Sequence, residues 1–348
     1  MADGVNTGRG EADDLAHVVG GAYHLPDLWL RRLPHGAATL NYQGRATGRR
    51  VFVKHYPPGA DLAAERAAID LSRFAGRAGV PTPAVLPARD GSPIHRTPGG
   101  GAVSVWEWVD GQWSGAPGMT AAQMGTVGVV TGRLHRILAT HPASSPHPQT
   151  AQQWCHPQRC AHELRALLAV VAGTAHPDAF TVWAGEVLRW RLALLPRIAA
   201  LLAGLPPLRS QVLHGDLAAP NVLWRGANLA ALIDFRPPRA RPVCWELGRI
   251  GCDPRTVPRE DWPDGVAALV ANYHAECPET PTADLRALVP AWVCYTAASV
   301  YPFGDLLTGT PLLPDDLRAY AKARQQALTT VLDNLPALDE RVQAVLAA

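Results

Sequence analysis

Lysine is almost missing from this chain of 348 residues: of 32 basic side chains only Lys54 and Lys322 are lysines, and the rest are arginines. Abundant Ala, Arg, Gly and Pro point to a coding bias that replaces lysine with arginine wherever charge alone matters. A lysine retained against that bias is a candidate for a role that needs a compact ammonium rather than a guanidinium fork. Net charge is nearly absent too, at +2, which removes any global electrostatic case for nucleic acid or a membrane surface as partner. No apolar run is long enough to span a bilayer; "LALLPRIAALLAGL" is broken by Pro and Arg. The start, "MADGVNTGRGEADD", has no apolar stretch, so no secretory signal is expected there and the chain reads as cytoplasmic. Close cysteine pairing is lacking: the six cysteines read as reduced thiols rather than a disulfide framework. The one Cys/His cluster, Cys155, His156, Cys160 and His162, does not have the spacing of a closed zinc site.

What is present falls into two halves. Up to about residue 110 the pattern is of short strands with one helix. "RRVFVKHY" alternates, placing Val51, Val53 and His55 on one face and Phe52, Lys54 and Tyr56 on the other. "PPG" ends that run, and residues 60–79 read as a helix carrying Leu62, Glu65 and Ile69 at helical spacing. Strands are expected around "AVLPA" and over "GAVSVWEWV", whereas residues 1–20 look partly loose. After "DGQWSGAPG" helices dominate, over roughly 119–140, 158–173, 178–204, 261–276, 281–299 and 314–334. The expected class is therefore α+β with segregated parts, residues 1–110 forming one lobe and 111–348 a larger, mostly helical one.

Within the helical half, "VLHGDLAAPNVLW" sets His214, Asp216 and Asn221 among apolar residues, and the short strand of "NLAALIDF" delivers Asp234. Two carboxylates and a carboxamide are costly to place between apolar strands unless they share cations or strong hydrogen bonds. All three offer oxygen ligands, which suit Mg²⁺, a hard ion bound through one or two carboxylates and substrate phosphates.

"HGDLAAPN" followed by "IDF" resembles the aminoglycoside phosphotransferase family, whose fold is that of the protein kinases, and the resemblance covers most of the chain. It implies a two-lobed fold: an N-lobe of antiparallel sheet with one main helix, and a larger, mostly helical C-lobe. By the same resemblance Asp216 is the catalytic residue that accepts the proton of the attacking hydroxyl, and Asn221 with Asp234 holds Mg²⁺ on the nucleotide. Lys54, paired with Glu65, would neutralise phosphate charge. Glu107 and Val109 of "VWEWVDG" would meet the nucleotide base at the hinge. His214 and Glu246 of "WELGR" would support the loop. Two departures stand out: no G-x-G-x-x-G covers the phosphates, "LPHGAATLN" standing there instead, and no glycine follows Phe235 after the metal aspartate.

The activity implied is transfer of the γ-phosphoryl group of ATP or GTP to a hydroxyl of a small molecule, plausibly an antibiotic, by a monomer or homodimer. A metabolite kinase of the homoserine, choline or sugar type and a nucleotide-binding pseudokinase are the competing readings. Trp292, Tyr295, Tyr301 and Asp305 lie in late helices that help form the acceptor site in this family. Arg236, Arg239, Arg241 and Arg249 crowd one segment against a single Glu246, whereas residues 271–348 carry only a mild acidic excess. That balance favours a neutral or anionic acceptor, such as a nucleoside or peptide, over a polycationic aminoglycoside.

Overall fold

The computed structural model describes residues 4–34, 39–115, 118–309 and 317–347, with side chains from residue 12 onward. The chain divides into two compact units, Met1–Gly111 with Ala230–Pro237, and Gln112–Leu229 with Pro238–Ala348. A single boundary near 110 does not anticipate the return of 230–237 to the first unit. That return is fastened by a hydrogen bond from the Leu232 amide to the Pro81 carbonyl at 2.8 Å.

The first unit runs α1 (Gly4–Tyr23), β1 (Trp29–Arg32), β2 (Leu40–Ala46), β3 (Arg49–Tyr56), α2 (Leu62–Arg77), β4 (Val85–Leu86), β5 (His95–Arg96) and β6 (Ala102–Glu107). Its sheet has the order β1-β2-β3-β6-β4, with β5 also on β6, and each of these pairings is antiparallel. The alternation in β3 is realised as read. Val51 and Val53 point with Val103 and Val105 into a core closed by Leu15, Val19 and Tyr23 of α1. Tyr56 lies on the other face, with Ile69 of α2, Val85, Ile94 and Ala102. The segment expected to be loose is thus a helix. Its glycines lower helix propensity, but Leu15, Val19 and Tyr23 recur every four residues and bury one stripe on the sheet, and that burial wins. The Tyr23 hydroxyl also donates to the Val103 carbonyl at 2.9 Å.

Two capping interactions fix α2. The Asp61 side chain accepts from the amides of Ala63 and Ala64, and Glu65 stands in the first turn, where the helix dipole favours a carboxylate.

The second unit contains β7 (Gln112–Trp113), α3 (Ala121–Ala139), β8 (His147–Gln149), α4 (Pro157–Gly173), α5 (Ala179–Ala203), β9 (Leu208–Val212), β10 (Val222–Arg225), β11 (Asn228–Leu232), which runs on into the first unit, and β12 (Ala240–Pro242). The helices α6 (Val243–Gly251), α7 (Trp262–Glu276), α8 (Thr282–Arg286), α9 (Leu288–Ala297), α10 (Phe303–Thr308), α11 (Leu317–Asp333) and α12 (Leu335–Ala347) follow. The helix expected over 281–299 is two, α8 and α9, meeting at Ala287, and α6, α10 and α12 are additions to the sequence reading. A capping box between Thr120 and Gln123 starts α3. Along α3, a Cβ at Gly128 would come within 2.4 Å of the Leu269 carbonyl of α7, so only glycine allows this close crossing. The antiparallel strands β8, β9 and β12 form a small sheet, and β9 leads directly into the segment His214–Asn221. All six cysteines are free and buried, and no described helix is long and apolar enough to cross a membrane.

Candidate active site

The sequence-predicted residues form two groups, one in each unit. In the first unit Lys54 sits on β3 opposite Ser104 of β6. Its Nζ lies 2.9 Å from Asp234 Oδ1 and 3.7 Å from Glu65 Oε2. The three side chains keep 19, 38 and 29% exposure for Lys54, Asp234 and Glu65, so the cluster is reachable by solvent and by ligand. Asp234 has φ of 63°, in the left-handed region that aspartate tolerates better than most side chains. Residues held in such a region cluster at functional sites, where surrounding contacts impose them; here the Lys54 contact is one such restraint.

At the end of β6 the Glu107 amide donates to the Ala84 carbonyl at 2.8 Å and the Trp108 amide to the Arg50 carbonyl at 3.4 Å. The Glu107 side chain pairs with Arg49 at 3.1 Å, and Val109 follows, half-buried. Arg236 is exposed within the returning segment. Part of "LPHGAATLN", residues 35–38, lies outside the described residues.

In the second unit a buried carboxylate organises the loop after β9. Glu246 of α6 accepts the His214 amide on Oε2 at 3.1 Å and the Gly215 amide on Oε1 at 2.7 Å, and its Oε2 lies 2.9 Å from His135 Nε2. Burial pushes the Glu246 carboxyl up. The hydrogen bond and charge of His135, the charge of His214 and the Gly215 amide outweigh burial and leave it below the usual carboxylate value. Gly215 has φ of 86°, a conformation that strains any residue with a Cβ. This explains the glycine of "HGD": the turn aims two successive amides at one carboxylate.

Beyond the turn, the Asp216 amide donates to His214 Nδ1 at 3.3 Å, and Asn221 Nδ2 donates to the Asp216 carbonyl at 2.8 Å. The Asn221 nitrogen is thereby committed to the loop, which leaves its oxygen as the end able to accept a donor or to ligate. Asp216 Oδ1 accepts from Arg249 Nη2 at 2.5 Å. Asp253 closes the far end of the loop, accepting the Ala219 amide at 3.2 Å.

The proposed acceptor residues part company. Trp292 is only 4% exposed and packs against Gly248 of α6; it is a core residue, because α6 and α9 cross too closely there to leave a ring face open. Tyr295 stands edge-on to Trp245, with centroids 5.5 Å apart. Tyr301 is 46% exposed and lies beside Tyr320, the rings tilted by 55° with centroids 6.2 Å apart, and Asp305 lies in the first turn of α10. Arg249, His135 and Asp253 are the participants that sequence reasoning missed. Arg249 was visible only as one arginine among many, and nothing in the local pattern of the other two marks them.

The oxygens of Asn221 and of Asp234, each taken by itself, are of the kind that suits Mg²⁺. Among the described residues no group of three or more His, Cys, Asp or Glu side chains could cage a metal. A carboxylate or a carboxamide oxygen is by itself a donor of the kind a hard ion takes, together with phosphates and water, without such a cage.

The statistical model of the phosphotransferase enzyme family (APH) matches residues 29–288. Among solved structures, spectinomycin phosphotransferase with ADP and spectinomycin is similar with a TM-score of 0.67 at 13% identity, over 92% of this chain and 97% of that one. An amicoumacin kinase gives 0.61 at 16%, over 94% and 96%, and a microcompartment-associated aminopropanol kinase 0.58 at 19%, over 94% and 99%. At these identities the likeness is one of fold. A homoserine kinase of Zymomonas mobilis is 24% identical over 197 residues, which is 56% of this chain and 55% of the relative; the match spans about half the length of that relative. With a family match over most of its length and a kinase-like fold throughout, the chain belongs to the phosphotransferase enzyme family APH.

Proposed function

We propose that this phosphotransferase moves the γ-phosphoryl group of ATP or GTP to a hydroxyl of a small molecule, an antibiotic in the leading reading. The observation that carries this is the setting of Asp216. Its backbone is fixed through Gly215 to a buried carboxylate, while its own side chain keeps 22% exposure and is oriented by Arg249. A carboxylate so positioned accepts the proton of an attacking hydroxyl as the phosphoryl group arrives in line. No covalent enzyme intermediate is needed.

Each other residue has one task. Lys54, oriented by Glu65, neutralises phosphate charge. The Glu107 carbonyl and the Val109 amide meet the nucleotide base. Asn221 and Asp234 hold Mg²⁺, which when bound screens the charge on the phosphates. His214 and Glu246 keep the loop in register.

A metabolite kinase is the second reading, favoured by the partial match to a homoserine kinase and the fold likeness to an aminopropanol kinase. The test is mass spectrometry of antibiotics and metabolite alcohols after incubation with the protein, Mg²⁺ and either ATP or GTP, with Asp216→Asn alongside. A phosphoryl mass gain on an antibiotic, absent from the variant, is the expected result. Gain only on a metabolite selects the second reading. A protein that binds Mg-nucleotide yet neither transfers to any acceptor nor slowly hydrolyses it would be the pseudokinase.

A further inference from the structure

The arginine-rich segment after Asp234 gathers donors around one indole ring in the second unit. The Arg241 guanidinium lies 4.8 Å and that of Arg249 5.2 Å from the centroid of Trp245. Arg249 is already committed, since it bonds Asp216. Arg241, half-buried, has no ion pair among the described residues, and β12 pairing sets it opposite Gln211 rather than a carboxylate. Trp245 is 3% exposed, yet its Nε1 is a buried donor with no hydrogen-bond partner among the described residues. The nearby carboxylates are spoken for: Glu246 by three donors, Asp216 by Arg249.

A half-buried guanidinium and an orphaned indole N–H are an excess of donors over acceptors, and each unmet donor has a desolvation cost. Burial, reinforced by the charges of Arg239 and Arg249 and opposed by Tyr295 and Glu246, also holds the Arg241 guanidinium below its ordinary pKa. Ordinary surface arginines avoid this cost by staying in water.

We propose that Arg241 and Trp245 form the acceptor's anchoring subsite, and that the acceptor carries a carboxylate bound there beside Asp216. The inference rests on the kinase reading above and narrows it to hydroxy acids and acidic hydroxylated peptides or glycosides. A guanidinium fork takes a planar carboxylate through two hydrogen bonds, and the Trp245 ring that the fork contacts holds it in place. Trp245 links anchoring to the base: the Arg249 guanidinium that contacts the same ring also bonds Asp216, so Arg241 and the Asp216–Arg249 pair are grouped around one aromatic ring.

The experiment compares matched hydroxyl compounds, each acid beside its primary amide: homoserine, gluconate, seryl dipeptides and glucuronides. Transfer from Mg-ATP is measured for the wild-type protein, Arg241→Gln and Arg241→Lys, with thermal melting as a folding control. Acids should be used at least about tenfold more efficiently than their amides. Arg241→Gln should raise KM for the acid about 10- to 100-fold, the loss of one charge-assisted interaction, and Arg241→Lys should restore part of it. Equal or better use of the amides overturns the subsite while leaving the kinase reading intact, as does a folded protein that binds Mg-ATP and uses no acid. A rise in KM for ATP instead of the acid would assign Arg241 to nucleotide phosphate and overturn it too. Failure to bind either Mg-ATP or Mg-GTP would sink the kinase reading itself.

Discussion

The two units hold their acidic groups in opposite ways. In the first, Asp234 and Glu65 meet Lys54 in a cluster open to solvent. In the second, Glu246 and His135 are 0 and 1% exposed and are surrounded by donors. A solvent-accessible ion pair contributes little to stability, so a nucleotide phosphate or a cation can take over one of its partners at small cost. A buried, fully hydrogen-bonded pair cannot be rearranged cheaply, because removing either member strands the other away from water. The first arrangement suits groups that must exchange partners during turnover, and the second suits a brace that keeps a loop in one shape.

Four substitutions or conditions break or sharpen this contrast. The largest effect is expected at Asp216, the proposed base. Asp216→Asn should lower kcat by about 10²–10⁴-fold, the usual contribution of a positioned base, in steady-state assays of transfer; a kcat near wild type would remove Asp216 as the base. Next comes the brace. Glu246→Gln should lower unfolding free energy by about 3–5 kcal/mol, the cost of breaking a buried pair, read from denaturant midpoints. An unchanged midpoint would show that the His214 and Gly215 amides do not depend on the charge.

The open cluster should behave in reverse. Lys54→Met should change stability by about 1 kcal/mol or less, while weakening Mg-nucleotide binding about 10- to 100-fold, the worth of a charge-assisted contact. Calorimetric titration of the nucleotide measures one and thermal unfolding the other. A large stability loss with unaltered binding would make Lys54 structural.

The smallest effect is on acid sensitivity. Glu246 is held below its ordinary value of 4.5 in the folded state. Its contribution is therefore fully present above that value and drains away as pH falls through the lowered folded one. Unfolding of the wild-type protein followed from pH 6 downward should steepen in that acid range, and Glu246→Gln should be flatter there. Parallel curves would show that Glu246 does not carry the dependence.

Much of this was legible in sequence because it depends on local pattern. The two-residue alternation of "RRVFVKHY" sends Val51 and Val53 inward, and the "PPG" break is followed by a helix with Leu62, Glu65 and Ile69 at helical spacing. Asp216, Asn221 and Asp234 could be picked out as polar residues in apolar surroundings. The helix α1 was not legible, since its glycines argue against helix and only the sheet that covers Leu15 and Val19 argues for it. Trp292 looked like an acceptor contact from its place in a late helix, but the close crossing at Gly248 buries it. Arg249 and Arg241 could not be told from arginines kept by coding bias, because a side chain's charge says nothing of what it will meet.

The sequence by itself determined the α+β class, the strand and helix that carry Lys54 and Glu65, and the loop that carries Asp216, because each follows from periodicity and turn chemistry within a few residues. Tertiary structure alone decided that Lys54 meets Asp234, 180 positions away, that Glu246 takes the amides of His214 and Gly215, and that Arg241 and Arg249 share Trp245. Such pairings are fixed by burial and hydrogen-bond satisfaction in the packed chain, where a donor left without an acceptor costs free energy whatever its neighbours in sequence are.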